Sequence, residues 1–249
     1  MLAQQQKQAL LTNNLANIHT PGYKADQGML RAFPEMLIQA IRLENNQTYE
    51  IGNLHQGVFI EENVPVFVQG DLMETGVSNH MAIWDQDLEG KLFFTLEDEN
   101  GNRLFTRSGL FTEDAAGQLV TPEGYLVLDD WNTPIQVKGR SFTMNEKGNI
   151  VFSDGEEIRV GLTKINDPYQ MIKQGNQIYS YNGNIGELEY VDAQENYKLL
   201  QGKLERSNVD PTQTMVDMMT ALRLYEANQK MIQSLDRTLE KAVNEIGRV

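Results

Sequence analysis

The feature that most constrains this chain is a long amphipathic pattern in its last forty residues, 210–249. Apolar side chains recur there in alternating steps of three and four residues, which is the spacing of one face of an α-helix. Asp210 and Pro211 suit the N-cap and the first turn of such a helix. The apolar positions are Met215, Met218, Leu222, Tyr225, Ile232, Leu239, Val243 and Ile246.

A helix of this length spans about 50 Å at 1.5 Å per residue, which is more than one compact domain uses. The pattern therefore favours a coiled coil or another helical assembly. Two positions on the same face are polar, Gln229 and Asp236, and polar seam residues specify register or partner at some loss of stability. The alternative is a terminal helix that packs on its own domain, and the pattern alone leaves both open.

A second helix is predicted over residues 1–18, with three apolar residues on one face: Leu11, Leu15 and Ile18. The Pro21-Gly22 dipeptide ends this helix, because proline disfavours helical geometry in the residue before it. We expect a structured turn here, in which asparagine side chains satisfy backbone groups and the glycine takes a positive φ. The turn comprises Asn14, Asn17, Pro21, Gly22 and Tyr23.

The middle of the chain is predicted to be β-structure over residues 65–200. Short segments rich in β-formers alternate with turn dipeptides such as Asn100-Gly101 and Asp154-Gly155, a pattern typical of antiparallel hairpins. The segments are 66–68, 92–94, 104–106, 118–120, 125–128, 135–137, 150–152 and 158–160. No helix-length pattern interrupts them, which argues against a parallel α/β sheet.

The predicted fold is therefore mainly β, with an antiparallel β body flanked by N- and C-terminal helices that pair as a coiled coil. The predicted domains are a terminal helical region (1–22 plus 208–249), an extended connection (23–64) and the β-rich body (65–207). Within the connection, the apolar residues between Met36 and Leu43 suggest a short helix.

Charge is distributed unevenly along the chain. The net charge is −14, yet residues 43–200 hold 26 acidic and 10 basic side chains, a net charge of −16. A strongly acidic body argues against nucleic acid and anionic membranes as partners, and no apolar run is long enough for membrane insertion. The N-terminus lacks the apolar core and cleavage site of a signal peptide, so any export uses a route without that signal.

No motif for catalysis or for a cofactor is found. There is no cysteine, and the three histidines, His19, His55 and His80, lie in separate segments without metal-ligand spacing. The acidic clusters 97–101, 129–130 and 154–157 lack the spacing of a calcium loop and suit solvated turns. No nucleophile elbow or phosphate loop is present, although the many carboxylates leave a glycosidase pair open.

Several stretches resemble bacterial flagellar rod and hook proteins. The segment 13–24, NNLANIHTPGYK, is similar to their N-terminal signature, and the segments 204–210, LERSNVD, and 222–230, LRLYEANQK, are similar to their C-terminal signature. Two segments between them, 70–76 and 105–111, resemble motifs of the β domain. The likeness covers nearly the whole chain in order and is nearest to the distal and proximal basal-body rod proteins.

The resemblance implies a structural subunit without enzymatic activity or cofactor. Members of this family leave the cell through the flagellar export apparatus without a cleaved signal, and they stack helically into the drive shaft between motor and hook. It implies partners among copies of the chain itself and adjacent rod and hook proteins. The signature residues carried over are Asn14, Asn17, Thr20, Pro21, Gly22, Tyr23, Ser207, Asn208, Val209, Asp210, Tyr225, Glu226 and Asn228.

The chain departs from the family pattern in two places. Family members have more helix before the position of Met1, so we expect the chain to begin inside its first helix, by natural start or truncation. The segment 81–87 lacks a glycine that the family usually has there. A competing hypothesis is an extracellular β-rich carbohydrate-binding or hydrolytic module with helical tails.

Overall fold

The computed structural model describes residues 2–32, 36–42, 47–54, 58–85, 91–167, 170–175, 177–183, 188–191 and 197–246. The chain forms two compact units. The first comprises Met1–Leu15, Asp26–Val64 and Pro211–Val249, and the second comprises Ala16–Ala25 and Pro65–Asp210. The predicted domain limits stay a prediction.

The first unit contains both helices, α1 (Leu2–Ala16) and α2 (Pro211–Ile246). They contact each other through Leu10, Leu11 and Ala221, which are buried together, and Met218 packs against this cluster. The long C-terminal helix is thus confirmed, and the N-terminal helix ends two residues before its predicted end. The fold is mainly β with one helix near each end, as expected.

The rest of the first unit consists of strands β1 (Asp26–Ala32), β2 (Met36–Arg42), β3 (Gln47–Leu54) and β4 (Val58–Pro65). β1 pairs with β4, and β2 pairs with β3 in an antiparallel hairpin with an irregularity between Ile38 and Gln39. The short helix predicted from Met36 onward is wrong, because residues 36–42 form β2; Leu43 lies outside the described residues. The prediction failed because an apolar run this short does not show whether its pattern has the period of a helix or of a strand.

The second unit holds the remaining strands. They are β5 (Leu72–Glu74), β6 (Met81–Asp85), β7 (Leu92–Glu97), β8 (Arg103–Thr106), β9 (Thr112–Glu113), β10 (Leu119–Val120), β11 (Leu126–Val127), β12 (Phe142–Met144), β13 (Asn149–Phe152), β14 (Glu157–Arg159), β15 (Leu162–Lys164), β16 (Met171–Lys173), β17 (Ile178–Tyr181), β18 (Glu189–Tyr190), β19 (Tyr197–Gln201) and β20 (Lys203–Glu205).

Its largest sheet runs in the order β16-β17-β8-β7-β11-β10-β9, and β15 pairs with β7 and with β18. A three-stranded sheet joins β12, β13 and β14, and two pairs join β6 with β19 and β5 with β20. All these pairings are antiparallel. The two small pairs matter for the site, because they bring the C-terminal strands 197–205 back to strands 72–85.

Strand β7 is buried on both faces and separates two apolar clusters. Leu92, Phe94 and Leu96 point into the larger cluster, whereas Phe93 points into a smaller aromatic cluster with Phe67. This alternation follows the two-residue period of a strand. In the smaller cluster the Phe67 ring meets the Phe93 ring edge-on, with centroids 5.2 Å apart, an arrangement that aromatic pairs prefer.

Six of the eight predicted β-segments overlap observed strands. Two do not: residues 66–68 and 135–137 are not strands. In the second of these, Ile135 and Val137 are buried, but pairing is limited to isolated bridges at Pro134 and Gln136. Burial therefore accounts for the apolar pattern there without a regular ladder.

The acidic clusters considered as calcium candidates are turns held by their own side chains. The Asp98 carboxylate accepts hydrogen bonds from the backbone N–H groups of Asn100 and Asn102, at 2.8 and 2.7 Å. Hydrogen bonds from Asn102 hold the pKa of Asp98 below its usual value. Asp129 accepts an equivalent pair of backbone hydrogen bonds from Trp131 and Thr133, both at 2.8 Å. Such turns use the carboxylate oxygens that a cation would need.

Candidate functional site

The turn after α1 belongs to the second unit and is fixed by short-range hydrogen bonds. The Thr20 hydroxyl donates to the Asn17 side-chain oxygen, and the Thr20 backbone N–H donates to the Asn17 carbonyl, both at 3.2 Å. The Tyr23 N–H donates back to the Thr20 carbonyl at 3.3 Å. Residues 17–23 thus form a structured turn. Asn14 lies before it, inside α1.

Gly22 occupies the position in this turn that only glycine fits. Its φ is +72°, and a Cβ at this position would lie 2.5 Å from both the Cα and the N of Ser108. Left-handed backbone is strained for residues with a Cβ, and the approach to Ser108 forbids one in any case. The next residue, Tyr23, is fully buried, with the Lys173 amine 4.4 Å from its ring centroid.

The segment 204–210, which belongs to the same unit, lies directly against this turn. The Gly22 N–H donates to the Glu205 carbonyl at 2.8 Å, and the Asn208 N–H donates to the Tyr23 carbonyl at 3.4 Å. The Asn208 side-chain oxygen accepts the Ala25 N–H at 2.7 Å, while its amide nitrogen donates to the Val66 carbonyl at 2.8 Å. One asparagine therefore joins three segments that are distant in sequence.

The remaining signature residues of the second unit differ in how far they are exposed. Val209 is buried, Thr20, Pro21 and Ser207 are half-buried, and Asp210 is exposed. The Ser207 hydroxyl accepts the Val209 N–H at 3.3 Å.

Four charged side chains form a buried network next to the turn and the segment 204–210. The Glu205 carboxylate accepts hydrogen bonds from the Lys24 amine at 2.6 Å and from the Arg107 Nε at 2.8 Å. The Arg107 guanidinium also donates to the Asp85 carboxylate at 3.1 Å. Each of these side chains is at most 1 % exposed. Two cations face two carboxylates, so the network has no net charge, which is the condition under which such burial is tolerated.

Backbone groups also bond to the network, although the Asp85 Oδ1 and Arg107 Nη2 atoms are buried without a hydrogen-bond partner among the described residues. The Lys24 amine donates to the Val68 carbonyl at 2.8 Å, and Arg107 donates to the Leu92 carbonyl at 2.6 Å. The Gly70 N–H donates to the Glu205 carboxylate at 2.8 Å. Glu205 is therefore the shared acceptor for both cations and for one backbone amide.

Burial and pairing shift the pKa values of this network in opposite directions. Burial lowers the pKa of Lys24 to about 8, and the nearby Glu205 carboxylate only partly opposes this effect. Burial also disfavours the charged form of Glu205, but the charges of Arg107 and Lys24 outweigh it and hold the pKa of Glu205 below its usual value. Burial acts against the charge on Arg107, and Glu205 and Asp85 outweigh it, so that its pKa is raised.

The four charged residues were not predicted as site residues. Lys24, Arg107 and Glu205 all lie inside segments that carry the family resemblance, and Asp85 lies in the segment 81–87. The available signal was a lysine or arginine that is the only charged residue in the segments 13–24 and 105–111; the segment 204–210 holds two further charged residues, Arg206 and Asp210, and does not single out Glu205. Sequence alone does not show that these charges meet, because Lys24 and Glu205 are 181 residues apart.

In the first unit, the Asn14 side chain bonds the backbone of Asp26. Its amide nitrogen donates to the Asp26 carbonyl at 2.8 Å, and its oxygen accepts the Asp26 N–H at 2.9 Å. Asn14 is buried. This signature residue thus fixes the start of β1 instead of the turn that we predicted.

The buried face of α2 differs in phase from the predicted one. Met215 and Leu222 were expected on that face but are 46 % and 37 % exposed. The residues of α2 that are buried or half-buried are Thr214, Asp217, Met218, Ala221, Tyr225 and Asn228. Apart from Asp217, they follow steps of four and three residues, as in a heptad.

The other residues predicted for helix pairing divide between buried and exposed positions. Leu11 is buried, and Leu15 and Ile18 are half-buried. Ile232 and Leu239 on α2 are 46 % and 63 % exposed. Of the remaining signature residues on α2, Glu226 is exposed. The role of these residues in helix pairing stays a prediction.

Within the described residues, no group of three or more His, Asp or Glu side chains is placed to hold a metal ion. In that same part of the chain, neither helix has a stretch apolar enough to cross a bilayer.

The close approach of Gly22 to Ser108 predicts that alanine lowers the free energy of unfolding far more at position 22 than at position 76. Gly22 and Gly76 have nearly equal φ values, +72° and +70°, but a Cβ on Gly76 meets nothing within 4 Å. Gly76→Ala should cost about 1–2 kcal/mol of unfolding free energy through strain alone. Gly22→Ala should cost several kcal/mol more, because the Ser108 backbone must move. Urea unfolding of both variants measures the difference, and equal losses would contradict this geometry.

The lowered pKa of Lys24 predicts a rise of stability with pH. Between pH 8 and pH 10.5 the folded chain lacks a proton that the unfolded chain still carries on Lys24. The free energy of unfolding should therefore rise in this window, by up to about 1.4 kcal/mol per pH unit from this group. Lys24→Met should lose this contribution, whereas Lys198→Met, at a surface ion pair, should keep it. Parallel pH profiles for all three proteins would show that Lys24 stays charged.

Comparison with known proteins agrees with the sequence resemblance. Three family models match the chain: Flagella basal body rod protein over residues 1–24, Flagellar hook protein FlgE/F/G D1 domain over 87–152, and Flagellar basal body rod FlgEFG protein C-terminal over 200–245. The first and third contain the turn and the C-terminal segment described above, and the second contains Arg107.

Similar proteins match over nearly their full length. The chain is 35% identical to the flagellar hook-basal body complex protein FlhO of Bacillus subtilis, over 100% of this chain and 96% of that protein. It is 30% identical to the flagellar basal-body rod protein FlgG of Borreliella burgdorferi, over 98% and 94%, and 28% identical to FlhP of Bacillus subtilis, over 94% and 92%. The chain therefore belongs to the family of flagellar basal-body rod proteins, structural components of the flagellar hook-basal body.

Proposed function

We propose that this protein is an axial subunit of the flagellar rod, which assembles helically with copies of itself into the drive shaft between motor and hook. The observation that carries the proposal is an apolar seam on α2 that continues beyond its contact with α1. The buried positions end at Asn228, and every side chain from Gln229 to Asn244 is exposed.

The exposed part of α2 keeps the spacing of the buried part. From Asn228 the same steps of four and three residues lead to Ile232, Leu235, Leu239 and Ala242. Ile232, Leu235 and Leu239 are 46 %, 58 % and 63 % exposed. A row of exposed large apolar residues on one helix face marks an interaction surface, and heptad spacing suits a second helix as its partner.

This phase removes one of the two polar slots that the sequence pattern had placed on the seam. Gln229 and Asp236 lie one position beyond Asn228 and Leu235, so the seam passes through a leucine where an aspartate was expected, while an asparagine takes the place of the glutamine. The exposed part of the seam, from Ile232 to Ala242, is therefore apolar at every step, which favours stable coiled-coil pairing. We propose that α2 pairs in this way with helices of its own chain and of neighbouring copies.

The proposed partners are copies of the chain, adjacent rod and hook proteins, and the flagellar export apparatus. Relatives named as rod and hook-basal body proteins support this placement. Export without a cleaved signal follows from the same family reading. We propose no catalytic activity, and family membership favours the rod subunit over a carbohydrate-binding or hydrolytic module.

Deletion of the gene in its host tests the proposed function. The expected result is loss of flagella and of swimming, restored by a plasmid copy. A deletion strain with normal flagella and motility would contradict a rod function.

Substitutions on α2 test the seam itself in the complemented deletion strain. Leu235→Asp should abolish swimming, because it places a charge in the proposed helix contact. Ser234→Asp adds the same charge one residue off the seam and should leave swimming nearly unchanged. Both positions are exposed in the free subunit, so the thermal unfolding midpoint of each purified variant should stay close to that of the wild type. Equal motility of the two variants would rule out this seam.

A further inference from the structure

The buried charges join two segments that lie near opposite ends of the chain. We define the strap as residues 20–25 and the closing segment as residues 204–208. We propose that the charge network is a latch that closes only when the strap and the closing segment dock together, so that neither segment stays docked without the other.

Charge balance is the first reason. The Arg107–Asp85 pair belongs to neither segment, since Asp85 ends β6 and Arg107 directly follows β8. The strap adds one cation, Lys24, and the closing segment adds one carboxylate, Glu205. With only one of them docked, the site holds an unbalanced buried charge, which is strongly unfavourable.

Loss of either charge leaves the site unbalanced. Among the described residues, the only carboxylate that contacts the Lys24 amine is Glu205, and its other contact is the neutral Val68 carbonyl. Lys24 and Glu205 are at most 1 % exposed, so solvent does not replace the missing ion. Removal of Glu205 leaves Lys24 without a carboxylate, whereas removal of Lys24 leaves Glu205 and Asp85 to share the single cation of Arg107.

Backbone hydrogen bonds tie the same two segments to each other. The Gly22 N–H donates to the Glu205 carbonyl, and the Asn208 N–H donates to the Tyr23 carbonyl. The Asn208 side chain accepts the Ala25 N–H. Each segment therefore supplies part of the surface on which the other docks, and this coupling does not depend on the charges.

The latch has a consequence for the helices, because α1 ends at Ala16, shortly before the strap, and α2 begins at Pro211, shortly after the closing segment. Docking in one step therefore holds, at the same time, the two segments that connect to the helices along the chain. An event that pulls one end of the chain out of the body would release the other end as well.

Two backbone amides report the docking of each segment separately. The Val66 N–H donates to the Ala25 carbonyl, so its hydrogen exchange reports the strap. The Arg206 N–H donates to the Asp71 carbonyl, so its exchange reports the closing segment. The Thr95 and Leu119 amides, which bond within the large sheet and its neighbours, serve as internal references.

Hydrogen exchange of the full-length chain tests the latch, at a pH well below the Lys24 pKa of about 8 so that the amine is charged. Lys24→Met changes only the strap, yet the latch requires at least a tenfold faster exchange at both Val66 and Arg206, with a smaller change at Thr95 and Leu119. Glu205→Gln should accelerate the same two amides. If Lys24→Met accelerates Val66 alone, or if all four amides accelerate equally, the proposal is wrong.

Two controls separate charge balance from a general loss of stability. Lys198→Met removes a lysine from an exposed pair with Glu146 and should change exchange at both reporters by less than twofold. The double variant Lys24→Met/Glu205→Gln restores balance around Arg107 and Asp85, so both reporters should exchange more slowly in it than in either single variant. If both reporters exchange as fast in the double variant as in the single variants, charge balance is not the cause of the coupled docking.

The wild-type chain gives a test that does not depend on the variants folding. Exchange is followed at low urea concentrations, where partial openings are resolved. The Val66 and Arg206 amides should show the same opening free energy and the same urea dependence, below those of Thr95. Different urea dependences for the two reporters, or no difference from Thr95, would overturn the latch.

Discussion

The balance of two cations against two carboxylates under the signature turn is the interaction on which the second unit depends. Each charge is removed from water, and this is tolerable only because the carboxylate of Glu205 contacts both Lys24 and Arg107. The requirement explains why chain segments far apart in sequence meet at one point. It also explains why residues 16–25 belong to the same compact unit as the β body.

The carboxylates of the β body are stabilised in different ways at its surface and in its interior. At the surface, carboxylates such as Asp98 and Asp114 serve their own turns by accepting backbone N–H groups, and they remain solvated. Inside, the carboxylates of Asp85 and Glu205 face cations, whereas the buried carboxylate of Asp129 accepts the N–H groups of Trp131 and Thr133. A body with a net charge of −16 over residues 43–200 can therefore hold a charge-balanced network while carboxylates such as Asp98 remain in water.

The first unit differs from the body, since its helix α2 carries apolar side chains that remain exposed. Leu10 and Leu11 pack against Ala221, and the spacing that buries this part of α2 continues into exposed residues such as Leu235. Within a family of rod components, such a helix is suited to pairing during assembly. The latch complements it, because the body fixes the segments that precede and follow the helices.

The sequence by itself determined α2, six strands of the body and the turn at Gly22, because these depend on local periodicity and on backbone conformations that few residues adopt. Of the residues predicted for that turn, Asn17, Pro21, Gly22 and Tyr23 lie in it, whereas Asn14 lies inside α1. Three features were decided by tertiary structure. The period of the run from Met36 did not separate helix from strand, and the phase of α2 was set by which residues meet α1. The charge network was decided by long-range contacts alone, because nothing in the local sequence around Lys24 indicates a carboxylate 181 residues away.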